Sequence, residues 1–313
     1  MSSSIKYSFV MATLVLLSCG KSDSSGNKNW PNLPVKSDLY IYSTGNIQKL
    51  NLSNGELHTI GGSEDKPDQS RAVDVSRDGS EIAFIFYDYS LQNGTVREIR
   101  IMNNAGERIE TIPLTNQYNS IKISPDKSKF VCKRLTENTI VVIQRNGEII
   151  GGFTNVISAA WTPDGRLVFS NERGEIYVSN NDFSSANIIA TLGSPVKEVD
   201  VSNDGQKIAF YRSGNVWALD IDGNNLQQIT NSSLECFMPS WSKDGNHLAV
   251  LWGASQEQSH LSFPKVYLVP ANKGIIQLSE NSTDAIMLYE KWPRNDNDRE
   301  YTELSSKAQP MLR

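Results

Sequence analysis

The sequence predicts an all-β chain folded as a six-bladed β-propeller and closed by a C-terminal strand that completes the first blade. Three observations lead there. A strand–turn–strand segment recurs five times, with turn aspartates at Asp78, Asp126, Asp164, Asp204 and Asp244, so the steps are 48, 38, 40 and 40 residues. A step of about forty residues, each unit made of short strands, is the mark of propeller blades. The first unit lacks a leading strand, and the C-terminal part of the chain supplies a spare one. Joining the two removes the exposed sheet edges of an open array.

The clearest copy of the segment is Ala160-Trp161-Thr162-Pro163-Asp164-Gly165, followed by Arg166-Leu167-Val168-Phe169. Pro163 presets φ at the second turn position, Asp164 suits the third, and Gly165 accepts positive φ at the fourth. Lys127 replaces this glycine in the third unit, so strain or another turn type is expected there. Trp161 and Trp241 share a register with Val75, Ile123 and Val201, and these residues are expected to pack between blades. Each turn aspartate serves its own turn in this reading. Calcium loops need several oxygen ligands within one short segment, and no such run occurs.

Taken in order, the strands around Asp38–Ser43, Ile47–Leu52 and Glu56–Ile60 form the first unit, with Asn54-Gly55 turning the second into the third. Asn-Gly between alternating runs is a strong hairpin signal. Further units are expected over residues 71–112, 120–153, 157–190 and 196–230, and the sixth from about 237 to 279. The apolar run Ala285–Tyr289 is the spare strand expected to close the ring. The propeller therefore spans 36–290, and 291–313 reads as a surface or disordered tail.

Residues 1–18 read as a lipoprotein signal peptide. Lys6 precedes the apolar run Phe9–Leu17, which is too short to span a bilayer comfortably, and Leu16-Leu17-Ser18-Cys19 resembles the bacterial lipobox. The resemblance implies acylation of Cys19, so the expected partner at this end is a membrane, reached through lipid on Cys19. Residues 19–35 would then hold the acylated cysteine and a flexible Ser-, Gly- and Asn-rich tether. Gly20, rather than Asp, follows Cys19, which by resemblance to Gram-negative lipoproteins favours the outer membrane; the expected location is the periplasm or cell surface. Cys132 takes an apolar position of the repeat and is read as a buried hydrophobe. The register places Cys132 and Cys236 in different blades, too far apart for a disulfide.

A net charge of −5 gives no case for nucleic acid. No Gly-x-Ser-x-Gly elbow is present, and the three histidines His58, His247 and His260 fall in different units, so neither a serine hydrolase nor a histidine metal site is expected. No cofactor and no metal is predicted. An enzyme is less expected than a binding protein.

The repeated Trp-Ser/Thr-x-Asp-Gly segment with its Ile-Ala-Phe type strand resembles the WD40-like repeat of TolB-type propellers. It is also similar to blades of the prolyl-oligopeptidase group, and the likeness covers about residues 38–290. The resemblance implies the propeller fold and leaves the task open, because this scaffold hosts many functions. TolB-type propellers dock a peptidoglycan-associated lipoprotein, but the separate N-terminal domain of that family is missing from this sequence, and its partner is not carried over. The oligogalacturonate-lyase branch uses a histidine-rich metal site that this sequence lacks.

Binding is expected on the face opposite the Asp-Gly turns. Two long loops fall there: one carries Tyr87, Asp88 and Tyr89, the other Trp252 and His260. Shorter loops bring Tyr118, Arg134, Arg173 and Arg212 to the same rim. Aromatic and arginine side chains dominate protein interfaces. The expected function is a non-catalytic, envelope-anchored scaffold binding an unidentified envelope protein. The alternative is a carbohydrate- or peptide-binding propeller, with or without lyase or glycosidase activity built on carboxylates.

Overall fold

The structure is a computed structural model that describes residues 30–43, 46–60, 72–88, 96–253, 265–290 and 309–313. Six four-stranded antiparallel sheets form the blades, and no helix occurs among the described residues. Blade one holds β1 (Asp38–Ser43), β2 (Asn46–Asn51) and β3 (Glu56–Ile60). Blade two holds β4 (Ala72–Val75), β5 (Glu81–Asp88), β6 (Val96–Asn103) and β7 (Arg108–Pro113). Blade three follows as β8 (Tyr118–Ile123), β9 (Lys129–Arg134), β10 (Thr139–Gln144) and β11 (Ile149–Thr154). Blade four is β12 (Ser158–Trp161), β13 (Leu167–Ser170), β14 (Glu175–Ser179) and β15 (Ala186–Thr191). Blade five is β16 (Lys197–Val201), β17 (Lys207–Arg212), β18 (Asn215–Asp220) and β19 (Gln227–Gln228). After the short β20 (Thr230–Asn231), blade six begins with β21 (Glu235–Trp241), β22 (His247–Gly253) and β23 (Lys265–Pro270). The last strands are β24 (Ile276–Gln277), β25 (Ile286–Glu290) and β26 (Gln309–Leu312).

A C-terminal strand does complete the first blade, but it is not the expected one. The sheet order of blade one is β26-β1-β2-β3, and Leu39 faces Leu312 while Tyr40 faces Met311. Residues Ala285–Tyr289 instead supply β25, the outer strand of blade six, against β23. The stretch expected to end blade six, Ile276-Gln277, pairs in parallel with β20 at the exit of blade five. The end of the supposed tail thus lies inside the ring. Pro310 obscures β26 in the sequence, since proline cannot donate to a ladder. An innermost strand has a neighbour on one side only, and such an edge tolerates it.

Every blade interface has its own apolar cluster, six in all among the described residues. Trp161 packs with Val131, Leu167 and Phe183 between blades three and four; Trp241 packs with Leu248 and Val250 between five and six. Alternation along each strand sends one set of side chains to the preceding blade and the other to the next. Full burial of side chains such as Phe84 or Phe210 contributes roughly 1.5–3 kcal/mol each. Cys132 and Cys236 are buried and unbridged, and burial pushes the Cys236 thiol up to about 11.

A closed belt of hydrogen bonds links the inner strands. Asp74 Oδ2 accepts from Ile123 N at 2.9 Å, and Trp161 Nε1 donates to Lys122 O at 2.9 Å. Ser158 Oγ accepts from Val199 N at 2.9 Å, and Asp200 Oδ2 accepts from Trp241 N at 2.8 Å. Ser240 Oγ accepts from Leu312 N at 3.1 Å; Arg313 Nε donates to Val75 O at 2.7 Å and completes the circle.

The recurring turns share one bonding scheme. In the second blade Gly79 N donates to Ser76 O at 2.9 Å, Ser76 Oγ donates to Asp78 Oδ1 at 2.6 Å, and Glu81 N donates to Ser76 Oγ at 2.9 Å. The same hydroxyl-to-carboxylate bond joins Ser124 to Asp126, Thr162 to Asp164, Ser202 to Asp204 and Ser242 to Asp244. Gly165 has φ 84°, and Lys127 adopts φ 61°, a left-handed conformation that costs a side-chain-bearing residue energy. Lys127 Nζ reaches back to Asp78 Oδ2 at 2.8 Å, tying the turn to the preceding blade.

Burial works against ionisation at Asp78, Asp126, Asp164 and Asp244, but hydrogen bonds outweigh it, led by the Lys127 ammonium at Asp78 and by the turn hydroxyl at the other three, and hold these carboxyls below the usual range. At Asp204 the Ser202 hydroxyl is the largest influence, in the same direction. Depressed folded-state values mean stability that is fully present above about pH 4 and lost as pH falls through the lowered values. Asp204→Asn should therefore be destabilising at pH 7 and progressively less so towards pH 2, read from urea unfolding midpoints across that range. In the belt, Asp200→Ala strands the Trp241 amide and should cost about 1–3 kcal/mol by the same measurement.

Candidate functional site

The inner strands enclose an axial cavity of about 460 Å³, lined by residues such as Ser120, Ser158, Val199 and Ser240. Its lining reaches the side where the chain enters the inner strands. Exposed Asn119, Asn138, Glu172 and Lys197 stand at that end. Lys133 reaches in from β9, where its Nζ donates to Ile157 O at 3.1 Å. Burial pulls the Lys133 pKa down, and nearby Glu172 opposes the shift.

At the far end, beside the Asp-Gly turns, lies a separate space of only about 40 Å³. Arg77, at the second position of its turn, lies across it. Its Nη2 donates to Trp161 O at 2.7 Å and its Nη1 to Asn203 Oδ1 at 3.0 Å, so blade two is tied to blades four and five across the axis. Arg313 fills the adjacent quadrant and pairs with buried Asp74 at 3.3 Å. The cavity is a funnel with one plugged end.

Blades five and six supply the unusual part of the wall. Glu198 has φ 55° and Met238 φ 50°, each where the register of its strand slips. Met238 N donates to Glu198 Oε2 at 2.5 Å. Burial pushes the Glu198 carboxyl up to about 7, against the Met238 amide and Lys197, with Glu235 adding to the rise. Tyr211 Oη donates to Glu235 Oε1 at 3.1 Å, and burial followed by the charge of Glu235 pushes Tyr211 up to about 12. Among the described residues no three His, Cys, Asp or Glu side chains converge as a metal site.

The expected rim of aromatic residues is corrected. Tyr87 and Tyr118 are 0% and 1% exposed and belong to the core between blades two and three. The Tyr87 hydroxyl donates to Tyr118 O at 2.7 Å and accepts from Tyr118 N, so it joins the strands rather than facing solvent. Trp252 is buried against Tyr267, and its Nε1 donates to Ser232 Oγ at 2.7 Å. Their positions near strand ends suggested loops, but β5 and β22 extend far enough to take both into pairing. Arg212 is anchored by Ser194 Oγ and Leu192 O and lies over Trp217. Arg134 pairs with Glu137 at 3.2 Å, and Arg173 is exposed. The side chain of Asp88, and Tyr89 and His260, lie outside the described residues.

Arg173 lines a separate groove of about 600 Å³ between blades three and four. Phe153, Phe169 and Tyr177 stack there with centroid separations of 4.5 and 4.9 Å. Glu175 accepts from Tyr177 Oη at 2.7 Å and from Asn171 Nδ2 at 2.6 Å. Neither this groove nor Glu198, Lys133 and Arg77 was apparent from the sequence. One available signal was Arg77, the one arginine at a turn position where Pro125, Pro163, Asn203 and Lys243 stand in the other units. Another was Val196-Lys197-Glu198-Val199, which breaks strict alternation just before Asp200-Val201.

No family model matches the sequence, and no curated protein matches it in sequence. Solved structures share its architecture. A protein from Agrobacterium tumefaciens assigned as TolB is similar with a TM-score of 0.55 and 17% identity, over 82% of this chain and 89% of that one. TolB from Acinetobacter baumannii is similar with a TM-score of 0.56 and 17% identity, over 79% of this chain and 66% of its own. A Bacteroides uniformis protein assigned as a 6-phosphogluconolactonase gives a TM-score of 0.52 and 15% identity, over 83% and 85%. In fold, the chain is a TolB-like six-bladed β-propeller.

Three outcomes follow from this geometry. Tyr87→Ala should destabilise the protein by about 3–5 kcal/mol in urea denaturation, the cost of removing a large buried aromatic. Arg77→Ala should open the narrow end, seen as faster hydrogen exchange at the Val201 and Trp161 amides. Glu198 has a folded-state pKa above its unfolded value because its ionised form is disfavoured, so it opposes folding increasingly as pH rises from about 4.5 to 7. Glu198→Gln, which can still accept from Met238 N, should raise the melting temperature at pH 8 and change it little at pH 5.

Proposed function

We propose that this protein is an exported lipoprotein, acylated on Cys19 and held at the outer membrane. In this reading it is a non-catalytic scaffold that binds an envelope protein at the wide end of its funnel. The observation that carries the reading is the asymmetry of the axis. One end offers a cavity of about 460 Å³ rimmed by exposed Asn119, Glu172 and Lys197, and the other is sealed by Arg77. A partner can insert a segment from one side only, and surrounding loops add contact area towards the thousand or so square ångströms of a specific interface. The lipobox-like Leu16-Leu17-Ser18-Cys19 supports the anchoring, and the tether beyond it would let the domain reach partners away from the bilayer.

Two experiments test this. Cys19→Ala should leave the protein unacylated and recovered with the soluble fraction; persistence of lipid and membrane fractionation would remove the anchor from the reading. Crosslinking in intact envelopes should capture a defined partner, and Lys197→Glu with Glu172→Lys should reduce that capture at least tenfold without lowering the melting temperature. Equal capture by the double variant would move the interface away from the funnel.

The groove between blades three and four favours a second reading, carbohydrate binding. Its stacked aromatics, with Asn171 and Glu175 fixed beside them, suit a sugar ring that needs an apolar face and directional polar contacts. Loss of oligosaccharide retention on an affinity gel in Tyr177→Ala, with the fold intact, would favour this reading over the first.

A further inference from the structure

A large aliphatic side chain stands exposed at the same place in every blade. Each Asp-Gly turn joins the first strand of a blade to the second, so the fourth strand also starts at that end of the axis. Leu57 and Ile109 are the second residues of β3 and β7, Ile149 is the first of β11, and Ile188 is the third of β15. Met287 is the second of β25, and Leu226 and Ile275 stand immediately before β19 and β24. These are the exposed large hydrophobic residues among the described ones, each 42–53% exposed. Towards their opposite ends β3 and β7 carry Ile60 and Ile112, which are buried. A single exposed aliphatic is ordinary on any surface. Here they gather at one end of all six blades as an apolar rim around the sealed face. An exposed apolar zone bounded by polar turns marks a contact with membrane or protein.

The N-terminal part of the chain reaches the propeller at this same face. Trp30, the first described residue, packs its ring over Gly55 in the turn before β3, and its Nε1 donates to Leu52 O at 2.9 Å. Gly55 lies two residues from Leu57, so the entry of the chain and the rim coincide. Cys19 lies eleven residues before Trp30, a stretch that spans at most about 40 Å when extended. A six-residue strand is itself about 20 Å long. Turning the wide end towards a bilayer would therefore use half of that reach in passing the blade, whereas turning the sealed face uses none. Half-buried Trp30 is also the residue type that settles at a membrane–water boundary.

We propose that the apolar rim is a bilayer-docking surface, which turns the sealed end of the axis towards the membrane and the wide end of the funnel away from it. The inference rests on the anchor at Cys19 in the reading above and adds a second contact to it. The lipid supplies the attachment, and the rim has only to set orientation, because a tethered surface meets the bilayer at high effective concentration. A planar bilayer matches a circular rim, touching all blades at once. A protein interface gathers its apolar anchors in a central buried cluster, and these residues are spread around the perimeter instead. Charge narrows the occupant to a zwitterionic phospholipid surface. The five turn aspartates on this face favour their ionised form, and Lys127, Lys129 and Arg166 are already paired with three of them. An anionic leaflet would be repelled.

The test couples the full-length protein through Cys19 to phosphatidylcholine vesicles that carry a maleimide headgroup; Cys132 and Cys236 are buried and do not compete. The reference is the same protein capped at Cys19 with N-ethylmaleimide. Hydrogen exchange read by mass spectrometry should slow at least threefold at the turn amides of residues 53–55, 104–106 and 145–147. Residues 135–138 and 171–174, at the wide end, should keep their rates. Leu57→Asp combined with Ile149→Asp and Leu226→Asp should remove the slowing while the melting temperature is retained; if the aspartates unfold the protein, the three serine substitutions give the same readout. Unchanged turns, slowing at the wide end instead, slowing that survives the triple variant, or a requirement for added phosphatidylglycerol would each overturn the proposal. So would equal slowing in concentrated protein without vesicles, which marks a second copy as the occupant. Mass spectrometry of the protein taken from its own membranes reads the anchor separately. Lipid on Cys19 with unchanged turns keeps the anchor and removes the rim, whereas slowed turns without lipid remove the anchor and keep the rim.

Discussion

Each inner strand of this propeller has one open edge, because the axis offers it no further strand. The belt of six links around the axis answers that constraint. Where the repeat supplies Asp74, Asp200 or Ser240, the side chain accepts the main-chain N–H of the next inner strand. In blades three and four the equivalent positions are Lys122 and Ala160, which cannot accept in this way. There the link is made by the Trp161 indole and by Ser158, two residues earlier. Six apolar interfaces supply most of the burial, but they fix the spacing of blades rather than the register of one inner strand against the next. Directional bonds to buried amides do that, since an unsatisfied amide is costly.

The belt also explains why the two ends of the axis differ. Its last link comes from the C-terminal Arg313, which lies beside Arg77 at the end flanked by the Asp-Gly turns. Arg77 bonds to carbonyls on the opposite blades, so the plug is part of the fold's own bonding. At the wide end the strands β16 and β21 depart from regular pairing. The same departure that costs conformational energy at Glu198 and Met238 presents a carboxylate to the cavity. Bonds across the axis gather at one end, and irregular strand pairing lies at the other.

The difference between the expected and observed rim is instructive. Tyr87 and Trp252 look like loop residues because each follows a long apolar run and precedes a polar stretch. Pairing across β5–β6 and β22–β23 continues past the apolar run, and once paired an aromatic residue with a hydroxyl or indole can be buried if that polar atom finds a partner. Tyr87 finds the Tyr118 backbone and Trp252 finds Ser232. Tyr118 lies 31 residues from Tyr87 and Ser232 lies 20 from Trp252, and no local pattern announces such bonds.

The sequence by itself determined the blade: the Ser/Thr-x-Asp-Gly turn, the alternation of its strands, the six-fold count and the need for a closing strand. All are local, set by turn chemistry and by a side-chain period of two within about forty residues. Tertiary structure decided which C-terminal strand closes the ring, because Ala285–Tyr289 and Gln309–Leu312 compete for two places and only the packing of blades six and one distinguishes them. It also decided the funnel, where Arg77, Lys133 and Glu198 come from three blades and acquire their roles only once the circle is closed. A repeat writes each blade in the same terms, and the axis, which belongs to no single blade, is written in none of them.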